Sequence, residues 1–330
     1  MRSKKEAISK NGYKAYCFGL PHVRSDETTR SLMANVIVAL CPSVVASAVI
    51  FGMRALLVTA FSVVFCVALE WLYCKLLKRP NPIGDLSAVV TGIILAMNVP
   101  VGMPLGQIAV GCVAAIIVTK QLFGGIGMNF ANPALVGRIV LFISFASEMN
   151  AWVYPDAAVD QLASATPLQV ADPSRLNLFD LFMGIHGGVL GETCALAILL
   201  GFVYLVVTKT ISPAIPLTYV GSMFVFYLIA TRSLHESLVE VLSGGLLFGA
   251  VFMATDYVTS PFTLKGKLFY GVCLGLVTFA IRYWGSYTEG VSFALLFMNL
   301  WVPFINDATR QTPYGYVKPA KKAGKEGASK

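Results

Sequence analysis

The chain has 330 residues, of which 56% are hydrophobic and 13% charged. Soluble domains carry about a quarter charged residues, so this composition excludes a single water-soluble core and points to an all-α integral membrane protein. The net charge of +8 would suit nucleic acid, but its placement along the chain accounts for it without that partner.

Residues 1–31 form a polar, basic amino-terminal segment, too long before the first apolar run for a cleaved signal peptide. Leu32–Phe51 then runs twenty residues without a charge, close to the ~20 that cross the hydrocarbon layer. Further apolar segments cover Ala55–Leu69, Leu86–Val101, Leu105–Thr119, Ile139–Tyr154, Thr193–Val207, Ile215–Ala230, Val241–Thr255, Leu268–Ile281 and Val291–Ile305. About ten transmembrane helices are therefore predicted, divided into a first membrane repeat over 32–154, an external loop over 155–186, a second repeat over 187–306 and a basic tail over 307–330.

Loop charge orients these spans, because Lys and Arg collect on the cytoplasmic side. With the amino terminus inside, 21 of the basic residues fall inside, among them Lys75, Lys78, Arg79, Lys120 and Arg138, and only Arg54, Arg175, Arg232 and Arg282 fall outside. Both termini are expected in the cytoplasm. Trp71, Tyr73 and Trp301 read as interfacial anchors. Seven cysteines carry no C-x-x-C pair and three histidines lack ligand spacing, which argues against a metal, haem or iron–sulfur site within the chain.

The third and eighth segments resemble each other. Leu86–Asn98 aligns with Ser243–Thr255, and Pro104 with Pro261, at an offset near 157. Five helices in each half would make the halves cross in opposite senses, an inverted repeat, with helices broken at Met97–Pro104 and Met253–Pro261.

The most informative stretch is Gly187-Gly188-Val189-Leu190-Gly191-Glu192-Thr193, which delivers a hydroxyl to the mouth of an apolar helix. A helix start offers unpaired N–H groups and partial positive charge, suited to a phosphate. Gly191 and Glu192 would form the phosphate's surroundings and Thr193 a point of covalent attachment. A plain turn ahead of a buried helix is the alternative. Acidic residues at the span ends, Glu70, Asp85, Asp256 and Glu289, are candidates for an ion path. Each could equally be satisfied by water or by a neighbouring cation, as Glu70 would be by Lys75.

Four motifs carry a family resemblance: Leu20-Pro21-His22-Val23-Arg24-Ser25, Asn129-Phe130-Ala131-Asn132-Pro133-Ala134-Leu135-Val136-Gly137-Arg138, Gly191-Glu192-Thr193, and Met253-Ala254-Thr255-Asp256-Tyr257-Val258-Thr259-Ser260-Pro261. Over nearly its whole length the chain resembles the family of the D subunit of the Rnf complex, the membrane-bound ferredoxin:NAD⁺ oxidoreductase. It is also similar to the B subunit of the sodium-pumping NADH:quinone reductase. The resemblance implies a fold similar to urea transporters, FMN joined by a phosphodiester to Thr193, and a second, non-covalent flavin, riboflavin, whose pocket no residue identifies. Relatives commonly have serine after that threonine; this chain has Cys194.

The resemblance further implies a multi-pass place in the bacterial inner membrane. It implies partners too: an FMN-bearing subunit, iron–sulfur membrane subunits, and cytoplasmic ferredoxin- and NAD-reactive subunits. Electrons would pass through the flavin and help drive Na⁺ or H⁺ across the membrane, with no complete reaction from this chain alone. The competing readings are a quinone-reductase component, a flavin-free small-solute channel, and a structural membrane scaffold.

Overall fold

A computed structural model describes residues 7–8, 14–15, 27–80, 82–152, 167–169, 176–285 and 290–311. Apart from a short antiparallel pairing of Ala7–Ile8 with Lys14–Ala15, these residues are helical or connect helices. The motif at 20–25, Glu289, Arg175, part of the expected external loop and most of the basic tail lie outside the described residues.

Helix α1 (Thr29–Phe51) starts where the Thr28 side chain accepts the Ser31 N–H at 3.1 Å, a standard hydroxyl cap. Only Gly52 separates it from α2 (Met53–Leu76), and its φ of +74° is one that a side chain would strain. Both helices turn valines and leucines outward; Val49 and Met53 are each 80% exposed. In a chain of this composition such surfaces face lipid.

Helix α3 (Ser87–Met97) is the opposite case, buried at every residue but Val89. It is followed by α4 (Leu105–Gln121), α5 (Pro133–Ser144), and two short helices, α6 (Ala146–Met149) and α7 (Leu178–Met183). The second half holds α8 (Ala195–Val207), α9 (Ala214–Thr231), α10 (Leu234–Leu242), α11 (Leu246–Met253), α12 (Leu264–Trp284) and α13 (Val291–Ala308).

Every predicted apolar segment overlaps a helix, but among the described residues length and composition qualify five as crossings (α1, α2, α9, α12, α13), or six if α10 and α11 form one span bent by 63°. Helices α3, α4, α5 and α8 are shorter than the ten-span reading requires. Helix α3 stops at Met97, ahead of Pro100, and the residues that follow are packed inside the protein, where Val99 is fully buried and Asn98 is 1% exposed. Met97 and Met253 end α3 and α11, so both helices stop where the repeat and its proline-containing segments predicted a break. The fifth segment moves toward the amino terminus. Its helix begins at Pro133, with Asn132 accepting the Ala134 N–H at 3.1 Å, a cap-plus-proline start.

Corresponding helices make corresponding contacts in the two halves. Helix α2 packs on α4 as α9 packs on α12, α4 on α5 as α12 on α13, and the halves meet through α1 with α8 and α5 with α13. The half-helices α3 and α11 come together at their carboxyl ends, where the Asn98 amide reaches the Met253 sulfur at 3.6 Å.

Candidate functional site

The Thr193 segment is pinned to the end of α3. Gly191 N–H donates to the Met97 carbonyl at 2.7 Å, and Leu190 N–H to that of Val99 at 3.3 Å. A Cβ on Gly191 would stand 2.6 Å from Met97 Cβ, so glycine is required by the approach of another backbone. A Cβ on Gly188 would stand 2.7 Å from a Glu192 carboxylate oxygen, and Gly184 turns the chain out of α7 with φ +90°.

Helix α8 begins two residues later than the sequence suggested, with Cys194 as its N-cap and no side chain capping it. Thr193 is 1% exposed and its hydroxyl has no hydrogen-bond partner among the described residues. Such an orphan is uncommon in a native interior. His186 is packed in the same loop, its Nδ1 3.2 Å from the Gly187 carbonyl and its Nε2 without a partner. Burial holds its pKa below the ordinary imidazole value, opposed by contacts with the Gly187 and Thr193 backbone. No spacing along the chain marks this histidine in advance.

A second polar group lies at the other end of α3. Glu70 is fully buried and pairs with Lys120 Nζ at 2.7 Å, while Gln121 donates to the same carboxylate oxygen at 2.6 Å. Lys120 also donates to Ser87 Oγ at 2.6 Å, and Ser87 Oγ to Asp85 Oδ1 at 2.5 Å. Glu70 is therefore held by Lys120, not by Lys75, which lies over the Trp71 ring at 4.5 Å. The Tyr73 hydroxyl donates to the Gln121 carbonyl at 3.3 Å. Lys120 and Arg138, both read as loop charges, are buried within α4 and α5, and Arg138 donates to Asn98 Oδ1 at 2.7 Å. Of the outside group, Arg54 donates to the Val101 and Gly102 carbonyls and Arg282 to Glu240, at 2.7 Å to its carbonyl and 3.3 Å to its carboxylate. Local carbonyls and carboxylates offset those charges.

Between the halves lies a cavity of about 460 Å³, lined by Ser87 and Lys120, by Asn129 and Asn132, and by Asp256 and Tyr257. Asp256 accepts the Thr259 hydroxyl at 3.0 Å, and burial pushes its pKa above the usual carboxylate range despite hydrogen bonds from Thr259 and Asn129. Two of the sequence motifs thus converge on one space. Asp85 approaches it only through Ser87, and Thr193 belongs to the separate site at the far end of α3.

The family model described as NQR2, RnfD, RnfE family matches residues 18–315. The chain belongs to this family. It is 41% identical to the D subunit of the Na(+)-translocating ferredoxin:NAD(+) oxidoreductase complex of Acetobacterium woodii, over 92% of this chain and 96% of that one. It is 34% identical to the proton-translocating counterpart of Clostridium ljungdahlii, over 89% and 94%. It is 30% identical to the D subunit of an ion-translocating oxidoreductase complex of Erwinia tasmaniensis, over 90% and 97%. The names of these relatives span two coupling ions, so membership by itself does not select one. The Asn129–Arg138 and Met253–Pro261 motifs and Gly191–Thr193 all fall within the matched region.

Proposed function

We propose that this chain is the D subunit of an ion-translocating ferredoxin:NAD⁺ oxidoreductase of the bacterial inner membrane, carrying FMN on Thr193 and a riboflavin-class flavin in the cavity between its halves. The reading is carried by one observation: in a chain of this family, the Thr193 hydroxyl is buried and partnerless beside a helix start that no side chain caps. A phosphodiester would occupy that oxygen, and the free N–H groups of the first α8 turn suit its negative charge. When bound, a flavin supplies one-electron exchange. The chain's part is placement. Gly191 holds the attachment segment against Met97, and His186 packs against the Thr193 backbone in the same loop.

The cavity supports the second flavin by size and lining. Ligand pockets span about 300–1,000 Å³ and combine apolar walls with a few placed polar groups; this one joins aliphatic side chains of α1 and α3 to Lys120, Asn129, Asn132 and Asp256. In the same reading the chain crosses the membrane about ten times as two inverted five-helix repeats, both termini cytoplasmic and Thr193 at the external side. It works beside flavin- and iron–sulfur-bearing subunits and helps couple electron transfer to Na⁺ or H⁺ movement.

Fluorescence of the denatured chain in a gel tests the attachment. The wild-type chain is expected to fluoresce, Thr193→Ser to retain the signal and Thr193→Ala to be dark. A dark wild-type chain from a complex whose other flavin subunit is loaded, or a fluorescent Thr193→Ala chain, overturns the assignment.

A further inference from the structure

Asp85, Ser87 and Lys120 form a continuous hydrogen-bonded line that ends in the cavity, and the fold gives it a direction. Asp85 is half-buried beside the exposed Gly84, at the end of the molecule where Lys75, Lys78 and Arg79 gather. Ser87 Oγ donates to Asp85 Oδ1 at 2.5 Å, and Lys120 Nζ donates to Ser87 Oγ at 2.6 Å. Ser87 and Lys120 both line the cavity. Glu70, 2.7 Å from Lys120, supplies the counter-charge, and its second oxygen has no hydrogen-bond partner.

Helix capping explains Asp85, since its Oδ1 also accepts the Ser87 N–H at 2.8 Å. Capping does not explain a lysine with 3% exposure reaching the same serine. Placing a cation there costs several kcal/mol of desolvation, and an apolar residue would fill the space without that cost.

We propose that Asp85, Ser87 and Lys120 relay a proton from the cytoplasmic edge to a reducible ring held in the cavity, an inference that rests on the flavin reading above. Two electrons arrive singly from an iron–sulfur donor of the complex. Lys120 gives one ammonium proton to the reduced ring; the Ser87 hydroxyl, which donates to the Asp85 carboxylate at rest, turns and passes its proton to the neutral Nζ; hydronium at the cytoplasmic edge protonates the Asp85 carboxylate, becoming water, and that proton restores Ser87. The net transfer is two electrons and one proton to the ring. Besides Glu70, the groups facing Lys120 are Cys66 and Cys74 of α2, Ser87 of α3, Gln121 of α4, and Asp256 and Tyr257 across the cavity.

The test uses the assembled complex, with Ser87→Ala, Ser87→Thr and Asp85→Asn. Asn at 85 keeps an oxygen to cap α3 but cannot exchange a proton, so it separates relay from folding; covalent fluorescence of the chain reports assembly. Non-covalent flavin is measured by denaturing extraction, and its single-turnover reduction is followed optically in H₂O and D₂O. Wild type is expected to retain one such flavin and to slow in D₂O. Ser87→Ala and Asp85→Asn are expected to retain it but be reduced about tenfold or more slowly, with a D₂O effect that differs from that of the wild type. Ser87→Thr should recover the wild-type rate. Wild-type rates and isotope effects in both Ser87→Ala and Asp85→Asn overturn the relay while leaving the pocket standing. Absence of non-covalent flavin from the wild-type complex overturns both.

Discussion

Lys120 is where residue-scale electrostatics is most exacting, because Glu70, its ion-pair partner, has no contact with solvent. Removing one member of a buried pair leaves an uncompensated charge and costs about 3–5 kcal/mol, whereas replacing both by apolar residues is often neutral. Lys120→Met is therefore expected to lower the thermal midpoint of the complex markedly, and the double change Glu70→Leu, Lys120→Met to restore most of it. A double variant as unstable as the single one would show that the pair is not the cause. His186 gives a pH dependence of definite sign. Its folded pKa lies below the ordinary value, so its contribution to stability is complete above about pH 6.5 and is lost as pH falls through that value toward the shifted one. Hydrogen-exchange protection of the 184–194 segment, corrected for intrinsic rates, should fall on acidification in the wild type and respond less in His186→Asn.

At the scale of elements, close helix approach depends on small residues facing small residues. Gly271 and Gly275 of α12 lie directly against Thr218 and Ser222 of α9, where any Cβ would collide with the hydroxyls. The Tyr219 hydroxyl then meets that of Thr278 at 2.7 Å on the same interface. Within lipid, association of this kind comes from packing and interhelical hydrogen bonds rather than hydrophobic burial. Gly271→Leu is expected to destabilise the complex by about 1–3 kcal/mol through overpacking, read by thermal denaturation, and Gly271→Ala to be better tolerated with Thr218→Ala than alone. The G-x-x-x-G spacing could be read from the chain, but its partner helix could not. Likewise Asn132-Pro133 signals a helix start in one dimension, yet the apolar run from Ile139 drew the boundary too late because hydropathy outweighs caps in a lipid-facing composition.

For the whole molecule, the halves are tied where α3 and α11 meet. Asn98 donates to the Ile94 carbonyl at 2.6 Å, reaches Met253 and accepts from Arg138. The segment bearing Thr193 leans on the adjacent Met97 and Val99 carbonyls. Asn98→Leu removes one acceptor from a buried guanidinium, an expected loss of about 1–3 kcal/mol. Because the cavity is shared by both halves, that variant is expected, on the flavin reading proposed above, to lose non-covalent flavin on purification while covalent fluorescence of the chain persists. Equal retention would mean the junction does not hold the cavity's shape.

Composition and hydropathic pattern by themselves determined the membrane class, the order of the helical segments, the break points and the threonine worth testing, because these depend on local chemistry and on the solvent around each segment. Only the tertiary structure decided that Lys120 and Arg138 are interior, that Glu70 faces Lys120, and that α3, α4, α5 and α8 are each 17 residues or shorter. It also brought Asn129, Asn132 and Asp256 to one cavity. The physical reason is that a charge's environment and a helix's usable length are set by what packs against them, and such neighbours can lie 155 positions away in the chain, as Asn98 does from Met253.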